Sequence, residues 1–478
     1  MRLLRMEKEN RIQRYQGEPV DGEVRFFYEG EVSGFSGEYL KVRYYWGEEK
    51  ADFWIGIGKK ESFGRIDCKE AFAKAVKEAK ALERRRICLD LTKALERFGK
   101  DGVTDAVEGC MLGLYEPETF REKEKEEQIE IALFASREMD GDGSLDAWIR
   151  EAKHLMEGVW FARHMVNRPG NKLTPEIFAG ELKREAEGLP IQVDILEEQQ
   201  IQRLGMEAFL AVGKSSANPP CLIVMRYRGD ADSEENYGFI GKGVTCDTGG
   251  YCLKPAASML GIKGDMAGAA AAAGALYAMA KNQVKANVTV VIPSCENRIS
   301  RESFLPGDVI GSLSGKTIEI GNTDAEGRLI LADAITYAIQ NERVTKILDI
   351  ATLTGAVVAM FGFTTAGVMC DDDAWYETFE AAAGHSAEQY WRLPIFKEYK
   401  KMVESKIADV RNLSNGGCAS ITAGMFLKTF ASPLPWIHVD IAGTAWVDSP
   451  IWEFQSAGAT GAGVTTLYYL GKEQENRR

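Results

Sequence analysis

The stretch Asn322-Thr323-Asp324-Ala325-Glu326-Gly327-Arg328-Leu329 places two carboxylates two residues apart, directly before an apolar, alanine-rich segment that is typical of a helix. In extended backbone, residues i and i+2 point to the same side, so Asp324 and Glu326 can direct both carboxylates at one cation. Paired oxygen ligands suit a divalent metal. Arg328 falls at the predicted helix start, where free backbone N–H groups and the helix dipole favour an anion. The stretch therefore predicts a cation site and an anion site side by side.

The composition of the chain narrows the classes of function. Its 478 residues are enough for about two or three domains. The net charge is −13 and no long basic run occurs, which argues against binding to nucleic acid or to an anionic membrane surface. No apolar run reaches the length of a membrane span, and the charged N-terminus lacks the apolar core of a signal peptide. We therefore expect a cytoplasmic protein.

The numbers of histidines and cysteines constrain the kind of metal site. The nine cysteines are scattered without a C-x-x-C pair, which is typical of free thiols in a reducing compartment. Only four histidines occur, at positions 154, 164, 385 and 438, so a histidine-rich zinc site is close to excluded. Carboxylates must hold any catalytic metal, helped by a lysine or by backbone carbonyls.

The apolar pattern predicts an α/β protein in which a long helix joins a smaller N-terminal α/β domain to a C-terminal catalytic domain. Residues 144–167 form the predicted helix, with Ser144 as its N-cap. From about residue 190 onward, apolar strands alternate with amphipathic helices, which indicates a mixed, mostly parallel sheet flanked by helices. The predicted domains are residues 1–143, the linker helix 144–170 and the catalytic domain 171–478. The segment Met139-Asp140-Gly141-Asp142-Gly143 resembles a calcium loop, but no glutamate closes it, and we favour a plain linker.

Individual elements are predicted from the same periodicity. The predicted strands are Val24 to Tyr28, Leu40 to Trp46, Ile129 to Phe134, Gln192 to Ile195, Cys221 to Tyr227, Tyr237 to Ile240, Asn287 to Ile292, Lys346 to Ile350 and Trp436 to Ile441. The predicted helices include Lys69 to Arg86, Leu91 to Phe98, Met266 to Lys281, Leu329 to Gln340, Ala374 to Gly384 and Thr422 to Phe430. Ligand sites in such sheets cluster at the carboxyl ends of the strands.

A second polar cluster directly follows the predicted strand Tyr237 to Ile240. It comprises Gly241-Lys242-Gly243-Val244-Thr245-Cys246-Asp247-Thr248-Gly249-Gly250, then Lys254-Pro255, then Lys263-Gly264-Asp265-Met266. Taken alone, each polar residue has an ordinary explanation. Asp265 could cap the following helix, and Lys242 could simply be solvated.

Taken together, the two clusters supply four carboxylates at strand ends, namely Asp247, Asp265, Asp324 and Glu326. So much negative charge needs metal to coexist in a small space. Two nearby divalent ions that share carboxylates and a bridging water are a standard arrangement for amide hydrolysis.

These motifs resemble the leucyl aminopeptidase family, the hexameric two-metal exopeptidases also called cytosol aminopeptidases. Residues Asn322 to Leu329 match that family's signature outright. The family's upstream motif is matched, at the same relative spacings, by Lys242, Asp247, Lys254 and Asp265. Further matches are Ala351-Thr352-Leu353-Thr354-Gly355, Ile421-Thr422-Ala423-Gly424 and His438-Val439-Asp440-Ile441-Ala442-Gly443-Thr444-Ala445-Trp446. The resemblance covers roughly residues 160 to 475 and is weak before them.

The resemblance implies two divalent metal ions per subunit. The residues that would hold one ion are Lys242, Asp247, Asp265 and Glu326, and those that would hold the other are Asp247, Asp324 and Glu326. Lysine as a ligand requires a neutral amine, which two adjacent dications favour. Zinc, manganese, cobalt and magnesium are all accepted by oxygen-rich sites, with zinc or manganese expected.

The resemblance also implies the catalytic and substrate-binding groups. Lys254 would stay charged and stabilise the oxyanion of the tetrahedral intermediate. Arg328 would hold a bicarbonate that acts as general base. The free α-amino group of a short peptide would bind a metal and Asp265, and the subunits would form a homohexamer. The candidate substrate-binding residues are Ile262, Thr352, Leu353, Gly355 and Ala445.

Some positions depart from the family pattern or have a structural explanation. Cys246 stands where an aromatic residue is common, and we favour a small buried side chain over a redox-active thiol. Cys418 raises the same question. Ile262 stands where a pocket methionine is frequent. His438, inside an apolar strand, is better explained as a hydrogen-bonded core residue than as a catalyst.

Three functions are compatible with these observations. The first is a metal-dependent aminopeptidase that releases Leu-like, apolar N-terminal residues from short peptides. The second keeps the metal chemistry but acts narrowly, on a Cys-Gly dipeptide or an ester. The third is a non-catalytic binding or regulatory scaffold, including a DNA-binding one. The complete ligand set argues against the third, and the acidic charge argues against DNA.

Overall fold

The computed structural model describes residues 11–47, 50–121, 128–136, 138–139, 143–414 and 416–476. The chain divides into two compact units. The N-terminal unit comprises Met1–Glu157 and Asp448–Ala457, and the C-terminal unit comprises Gly158–Val447 and Gly458–Arg478. The division falls inside the long helix Leu145–Asn167, which is present as predicted. Residues 140–142 of the proposed linker lie outside the described residues.

The N-terminal unit is an α/β fold built on a six-stranded sheet. Its strands are β1 (Arg11–Arg14), β2 (Gly22–Phe27), β3 (Val42–Trp46), β4 (Ala51–Gly56), β5 (Arg86–Asp90) and β6 (Glu130–Phe134), and its helices are α1 (Arg65–Ala81), α2 (Thr92–Phe98), α3 (Lys100–Gly113) and the first part of α4 (Leu145–Asn167). The strand order is β1-β6-β5-β2-β4-β3, and all pairs are parallel except β3 with β4.

Two element boundaries in this unit differ from the prediction for a backbone reason. The predicted strand from Leu40 begins only at Val42, because Leu40 has a φ of 56° and cannot continue a strand. The predicted helix Lys69 to Arg86 begins earlier and ends at Ala81, because Glu83 also has a positive φ of 56°. Arg86 instead begins β5.

The C-terminal unit alternates strands and helices as predicted. Its strands are β7 (Ile191–Glu197), β8 (Cys221–Arg228), β9 (Tyr237–Gly241), β10 (Gly243–Asp247), β11 (Asn287–Asn297), β12 (Val309–Ile310), β13 (Ile318–Glu319), β14 (Lys346–Ala351), β15 (Thr365–Cys370), β16 (Gln389–Arg392), β17 (Val410–Arg411), β18 (Trp436–Asp440), β19 (Trp446–Val447) and β20 (Gly458–Ala459). Its helices are α5 (Pro175–Glu185), α6 (Glu198–Leu204), α7 (Glu207–Gly213), α8 (Ala267–Lys281), α9 (Gly327–Glu342), α10 (Gly355–Phe361), α11 (Asp373–Ser386), α12 (Lys397–Lys401), α13 (Ala419–Ala431) and α14 (Val464–Asn476).

A mixed nine-stranded sheet forms the centre of this unit. The order is β16-β15-β18-β14-β9-β11-β8-β7, with β10 also paired to β11. The central pairs β18–β14, β14–β9 and β9–β11 are parallel, and antiparallel pairs lie toward the edges. Buried helices such as α8 and α9 cover the sheet, so the predicted fold class is confirmed. Among the described helices, none combines the length and the apolar character needed to cross a bilayer.

Candidate metal centre

Two successive strands bring the first group of site residues to the carboxyl ends of the parallel strands. The long strand β11 pairs in parallel with β9 along its first half and with β10 along its second half. Lys242 is the residue between β9 and β10, and its backbone N–H donates to the carbonyl of Ile350 on β14 at 3.1 Å. Asp247 ends β10 directly opposite Asn297, which ends β11. Asp247 and Lys242 therefore lie at the carboxyl ends of parallel strands, as the sequence predicts.

The second group comes from the loop that enters α9. Thr323 is fully buried, and its hydroxyl donates to the carbonyl of Gly249 at 2.7 Å, which ties this loop to the one that follows Asp247. Gly327 begins the helix at a point of close approach, because a Cβ there would lie 2.6 Å from Cε of Lys242. Glycine at this position thus allows Lys242 to reach the carboxylates of the loop.

Lysines and carboxylates of the two groups form one connected cluster. Nζ of Lys242 lies 2.7 Å from Oδ1 of Asp265 and 2.9 Å from Oε1 of Glu326. Nζ of Lys254 lies 2.7 Å from Oδ2 of Asp247 and 2.5 Å from Oδ1 of Asp324. One oxygen each of Asp247, Asp265 and Glu326 lies within 4.8 Å of the others.

Asp265 does not serve as a helix cap. The N-cap of α8 is Met266, and no side chain there caps the helix. Instead, Oδ1 of Asp265 pairs with Lys242 and accepts a hydrogen bond from the hydroxyl of Thr352 at 2.8 Å. The side chain is therefore turned into the cluster.

Burial controls the electrostatics of the cluster. It raises the pKa of Glu326 to about 8, with a further contribution from Asp247, and Lys242 opposes the shift. Burial likewise raises the pKa of Asp265 to about 6, again against Lys242. For Lys242, burial opposes the ammonium form, but Asp265 and Glu326 outweigh it and raise the pKa of the amine. Holding the carboxylates close together in their ionised form therefore costs free energy, and additional positive charge would reduce that cost.

The donor set fits a divalent cation. Oδ2 of Asp265 and Oε2 of Glu326 are buried and have no hydrogen-bond partner among the described residues. An unpaired buried carboxylate oxygen is costly, and native structures normally provide it with a partner. Hard oxygen donors at this spacing suit the divalent metals that carboxylates bind. These three carboxylates, with Lys242 and Asp324 beside them, could therefore hold metal.

Arg328 lies in the first turn of α9, deeply buried. Its Nη1 donates to the carbonyl of Asn412 at 2.8 Å, while Nε has no hydrogen-bond partner among the described residues. Burial lowers the pKa of the guanidinium to about 10, although Glu326 and Asp440 oppose the shift. A buried cation with a free donor at the start of a long helix suits an anion.

The residues expected to bind substrate are only partly connected to this cluster. The carbonyl of Thr352 accepts from Nζ of Lys242 at 3.0 Å, which places the loop after β14 against the carboxylates. Leu353 follows in the same loop, and exposed Gly355 begins α10. Ile262 lies half-buried in the 3-10 helix Ala256–Gly264, and buried Ala445 precedes β19. Within the described part of the chain, no hydrogen bond or ion pair joins Ile262 or Ala445 to the four carboxylates.

Sequence reasoning gave no role to three residues that hold the site in place, although Asp440 lies in a matched stretch. Nδ2 of Asn297 donates to Oδ1 of Asp247 at 2.9 Å and to the carbonyl of Thr323 at 3.0 Å, so it bridges the two groups. Asp440 accepts from the backbone N–H of Leu353 at 3.1 Å. The side-chain oxygen of Asn412 accepts from the backbone N–H of Gly321 at 2.7 Å. The predicted strand Asn287 to Ile292 stops five residues before Asn297, where the observed strand ends, and Asn412 lies in a loop without a pattern.

The alternative explanations for the remaining positions agree with their environments. His438 is buried, and its Nδ1 lies 2.6 Å from Oδ1 of Asp349. Cys246 is buried, and burial raises the pKa of its thiol, which keeps the thiol protonated. Cys418 is exposed at the N-cap of α13, with a φ of 62°.

Comparisons with known proteins agree with this geometry. The family model "Cytosol aminopeptidase family, catalytic domain" matches residues 160–468, and "Cytosol aminopeptidase family, N-terminal domain" matches residues 24–124, where the motifs alone gave only a weak resemblance. A "Probable cytosol aminopeptidase" of Clostridium perfringens is 41% identical over 429 residues, which cover 89% of this chain and 86% of that protein. The protein of the same name in Bacillus subtilis is 39% identical over 429 residues, covering 88% and 85%.

Two solved structures superimpose on most of this chain. The bottromycin maturation enzyme BotP superimposes with a TM-score of 0.86 at 29% identity, covering 96% of this chain and all of that one. BotP in complex with Mn gives a TM-score of 0.87 at 29% identity, covering 95% of this chain and 100% of that one. The chain therefore belongs to the cytosol aminopeptidase family and is a metallo-aminopeptidase.

Proposed function

We propose that this enzyme removes Leu-like, apolar N-terminal residues from short peptides, with two divalent metal ions per subunit. The observation that carries the proposal is the group of Asp247, Asp265 and Glu326, whose oxygens lie within 4.8 Å of one another. Two of these residues keep an oxygen without a hydrogen-bond partner among the described residues. Manganese or zinc is expected, with magnesium or cobalt as alternatives, and the neighbour bound to Mn supports manganese.

The proposed ligands divide into two overlapping sets. One ion would be held by Lys242, Asp247, Asp265 and Glu326, and the other by Asp247, Asp324 and Glu326. Lys242 must lose its proton to serve as a ligand, and its nearly complete burial disfavours the ammonium form once carboxylate charge is neutralised. Bound ions would supply a water of lowered pKa and polarise the scissile carbonyl.

Lys254 and Arg328 have different proposed tasks. The side chain of Lys254 is 22% exposed, against 4% for Lys242, so its ammonium group can reach a peptide carbonyl and stabilise the oxyanion. Arg328 would hold a bicarbonate as general base through the start of α9 and through its Nε, which no described residue engages in a hydrogen bond. Asp265 would receive the free α-amino group of the peptide, which an internal peptide bond cannot offer.

The proposed pocket for the first side chain is formed by Ile262, Thr352, Leu353, Gly355 and Ala445. Apolar pockets discriminate weakly between side chains of similar size, so Leu, Met and Phe should all be accepted. A cytoplasmic location and a homohexameric assembly complete the proposal, and light scattering of the purified protein would test the assembly.

The test is hydrolysis of leucine p-nitroanilide by the purified enzyme after removal and return of manganese or zinc, with and without bicarbonate. We expect turnover only with metal, a lower rate without bicarbonate, and two ions per chain by elemental analysis. Asp324→Ala should bind one ion and lose activity. Asp373→Asn, which changes an exposed carboxylate of α11, is the matched control and should retain both ions.

Other substrates separate the alternatives. N-acetyl-leucine p-nitroanilide should not be cleaved, since it lacks the free amine. Cleavage of Cys-Gly but not of leucine substrates would replace the broad aminopeptidase by a narrow dipeptidase. One ion per chain at full activity would contradict the two-metal arrangement.

A further inference from the structure

The strand β3, Val42–Trp46, is an unusual sheet edge. It is the last strand of the six-stranded sheet, and within the described part of the chain only β4 pairs with it. Its sequence is Val-Arg-Tyr-Tyr-Trp, and Arg43 to Trp46 are all exposed, with Trp46 63% exposed. The free backbone groups of an exposed edge strand can pair with strands of other molecules. Native proteins normally prevent this by making such strands short or charged, or by covering them. Among the described residues, this short aromatic edge is uncovered from Arg43 to Trp46 and carries a single charged side chain, Arg43.

The backbone hydrogen bonds between β3 and β4 show which residues of β3 have N–H and C=O groups that point away from β4. The backbone N–H of Gly47 donates to the carbonyl of Lys50, and the N–H of Gly56 donates to the carbonyl of Lys41, both at 2.8 Å. In an antiparallel pair, hydrogen-bonded positions alternate. The odd-numbered residues 41 to 47 therefore direct their backbone groups at β4. Val42, Tyr44 and Trp46 direct theirs away from the sheet.

Side chains on both faces of β3 are held in place by neighbours. On one face, Tyr44 stacks on Trp46 with ring centroids 6.0 Å apart, and its hydroxyl donates to Glu78 at 2.5 Å. On the other face, Tyr45 packs against Trp54 at 4.5 Å, and the guanidinium of Arg43 lies 6.0 Å from the ring of Tyr45. The edge is therefore a fixed template, and little side-chain entropy would be lost on pairing.

We propose that β3 pairs antiparallel with β3 of a second copy of this chain, about a two-fold axis at Tyr44. Tyr44 would then face its own equivalent as a hydrogen-bonded pair, since its backbone groups point outward. Val42 would face Trp46 of the second copy, also as a hydrogen-bonded pair. A two-fold axis requires a self-complementary surface, and this strand provides one.

Charge selects the second copy over other strands. In this register Arg43 faces Tyr45 of the second copy, so the only charge of the strand meets an aromatic ring and never another arginine. The remaining cross-strand pairs are aromatic with aromatic or with a β-branched residue, which are favourable pairs in sheets. The strand offers no acidic residue and no second cation by which to select a charged peptide.

Cysteine substitution tests the register in the full-length enzyme. In a Cys418→Ser background, which removes the exposed native thiol, Tyr44→Cys should form a disulfide-linked dimer under mild oxidation. Hydrogen-bonded antiparallel pairs have Cα atoms about 5.5 Å apart, within the disulfide range. Tyr45→Cys is the matched control, because in this register the Cα atoms of the two residues 45 lie about 8 Å apart, beyond the disulfide range. Mass spectrometry should find the peptide that links residue 44 to residue 44.

A second substitution tests the surface without a cross-link. Trp46→Lys should reduce the native mass measured by light scattering by about a factor of two, because a lysine blocks edge pairing. Phe120→Lys, at another exposed aromatic of the same unit, should leave the mass unchanged. Equal cross-linking at positions 44 and 45, no cross-link from a reactive thiol at position 44, or an unchanged mass for Trp46→Lys would each overturn the proposal.

Discussion

Each unit contains a buried cluster of charged side chains, and the two clusters are built differently. In the N-terminal unit, Arg65 holds both oxygens of Asp105 at 2.6 and 2.8 Å, and Lys69 pairs with Glu108 at 2.9 Å. These residues come from α1 and α3, two helices packed directly on each other. In the C-terminal unit, two lysines face four carboxylates that come from strand ends and loops.

The two clusters differ in the number of carboxylate oxygens that have no partner. In the N-terminal cluster, each acidic side chain has a cation beside it within the same pair of helices. In the candidate metal centre, carboxylates outnumber lysines, and Asp265 and Glu326 each keep a buried oxygen with neither a hydrogen-bond nor an ion-pair partner among the described residues, whereas the buried Oε2 of Glu108 is paired with Lys69. Burial and charge are common to both clusters. The excess of acceptors makes one of them a candidate binding site, and the following experiments test that distinction.

The largest effect should come from Glu326→Gln in the candidate metal centre. Catalytic efficiency, kcat/KM, for leucine p-nitroanilide should fall by on the order of 10³-fold, which is about 4 kcal/mol of transition-state stabilisation. The melting temperature in the presence of a chelator should not fall, because the pKa of Glu326 is raised to about 8 by burial and the neutral amide relieves this cost. A large loss of stability with chelator would show that Glu326 is a structural residue like those of the N-terminal cluster.

The opposite result is expected for the N-terminal cluster. Asp105→Ala leaves Arg65 and Lys69 without their shared buried partner, and it should destabilise the N-terminal unit by about 3–5 kcal/mol. Chemical denaturation would measure the loss, while kcat/KM per folded enzyme should stay within about twofold of the wild type. Asp101→Ala, at a more exposed position of the same cluster, should cost only about 1 kcal/mol. Loss of activity without loss of stability would contradict the comparison.

The sequence predicted the grouping of the four carboxylates better than the boundaries of the elements. Asp247, Asp265, Asp324 and Glu326 carry a distinctive chemical pattern, and a parallel sheet brings strand ends together whatever the exact lengths of its strands. Boundaries depend on single backbone conformations, such as the positive φ of Leu40 and Glu83, which no periodicity reveals.

Supporting residues were not predictable for a related reason. Asn297 and Asn412 act through hydrogen bonds across 26 to 91 positions of sequence, and an isolated asparagine has no local signature. The N-terminal cluster was also missed. Its residues lie on helix faces that look like ordinary solvated charge until the packing of α1 on α3 is known.

An intermediate effect should come from Asn297→Ala, which removes the amide that bridges Asp247 and Thr323. Residues that orient metal ligands typically contribute about 10–100-fold to affinity or activity. We expect kcat/KM to fall by that factor, with a matching loss of metal affinity measured by calorimetry. Asn282→Ala, which removes an amide hydrogen bond to Tyr468 elsewhere in the unit, should change neither quantity. An equal loss in both variants would indicate general destabilisation.

The smallest effect concerns Asp333, a buried carboxylate of α9 that has no lysine or arginine beside it among the described ion pairs. Its oxygens accept from the backbone N–H groups of Phe209 at 2.9 Å and Leu313 at 2.8 Å, yet burial still raises its pKa to about 7. Because the folded state then binds a proton more tightly than the unfolded state, stability falls as pH rises from about 4 through 7.

Replacing Asp333 by asparagine should remove that dependence. Asp333→Asn loses one acceptor and is expected to melt below the wild type at pH 5. The difference in melting temperature between wild type and variant should narrow by roughly 2 °C or more by pH 8, since only the wild type must keep a buried charge at that pH. Thermal melts across this range, with Asn282→Ala as a variant that lacks a titrating change, would measure it. A constant gap would mean that the two backbone hydrogen bonds already satisfy the carboxylate. Unpaired oxygens, rather than burial, would then distinguish the candidate metal centre from Asp333 and from the acids of the N-terminal cluster.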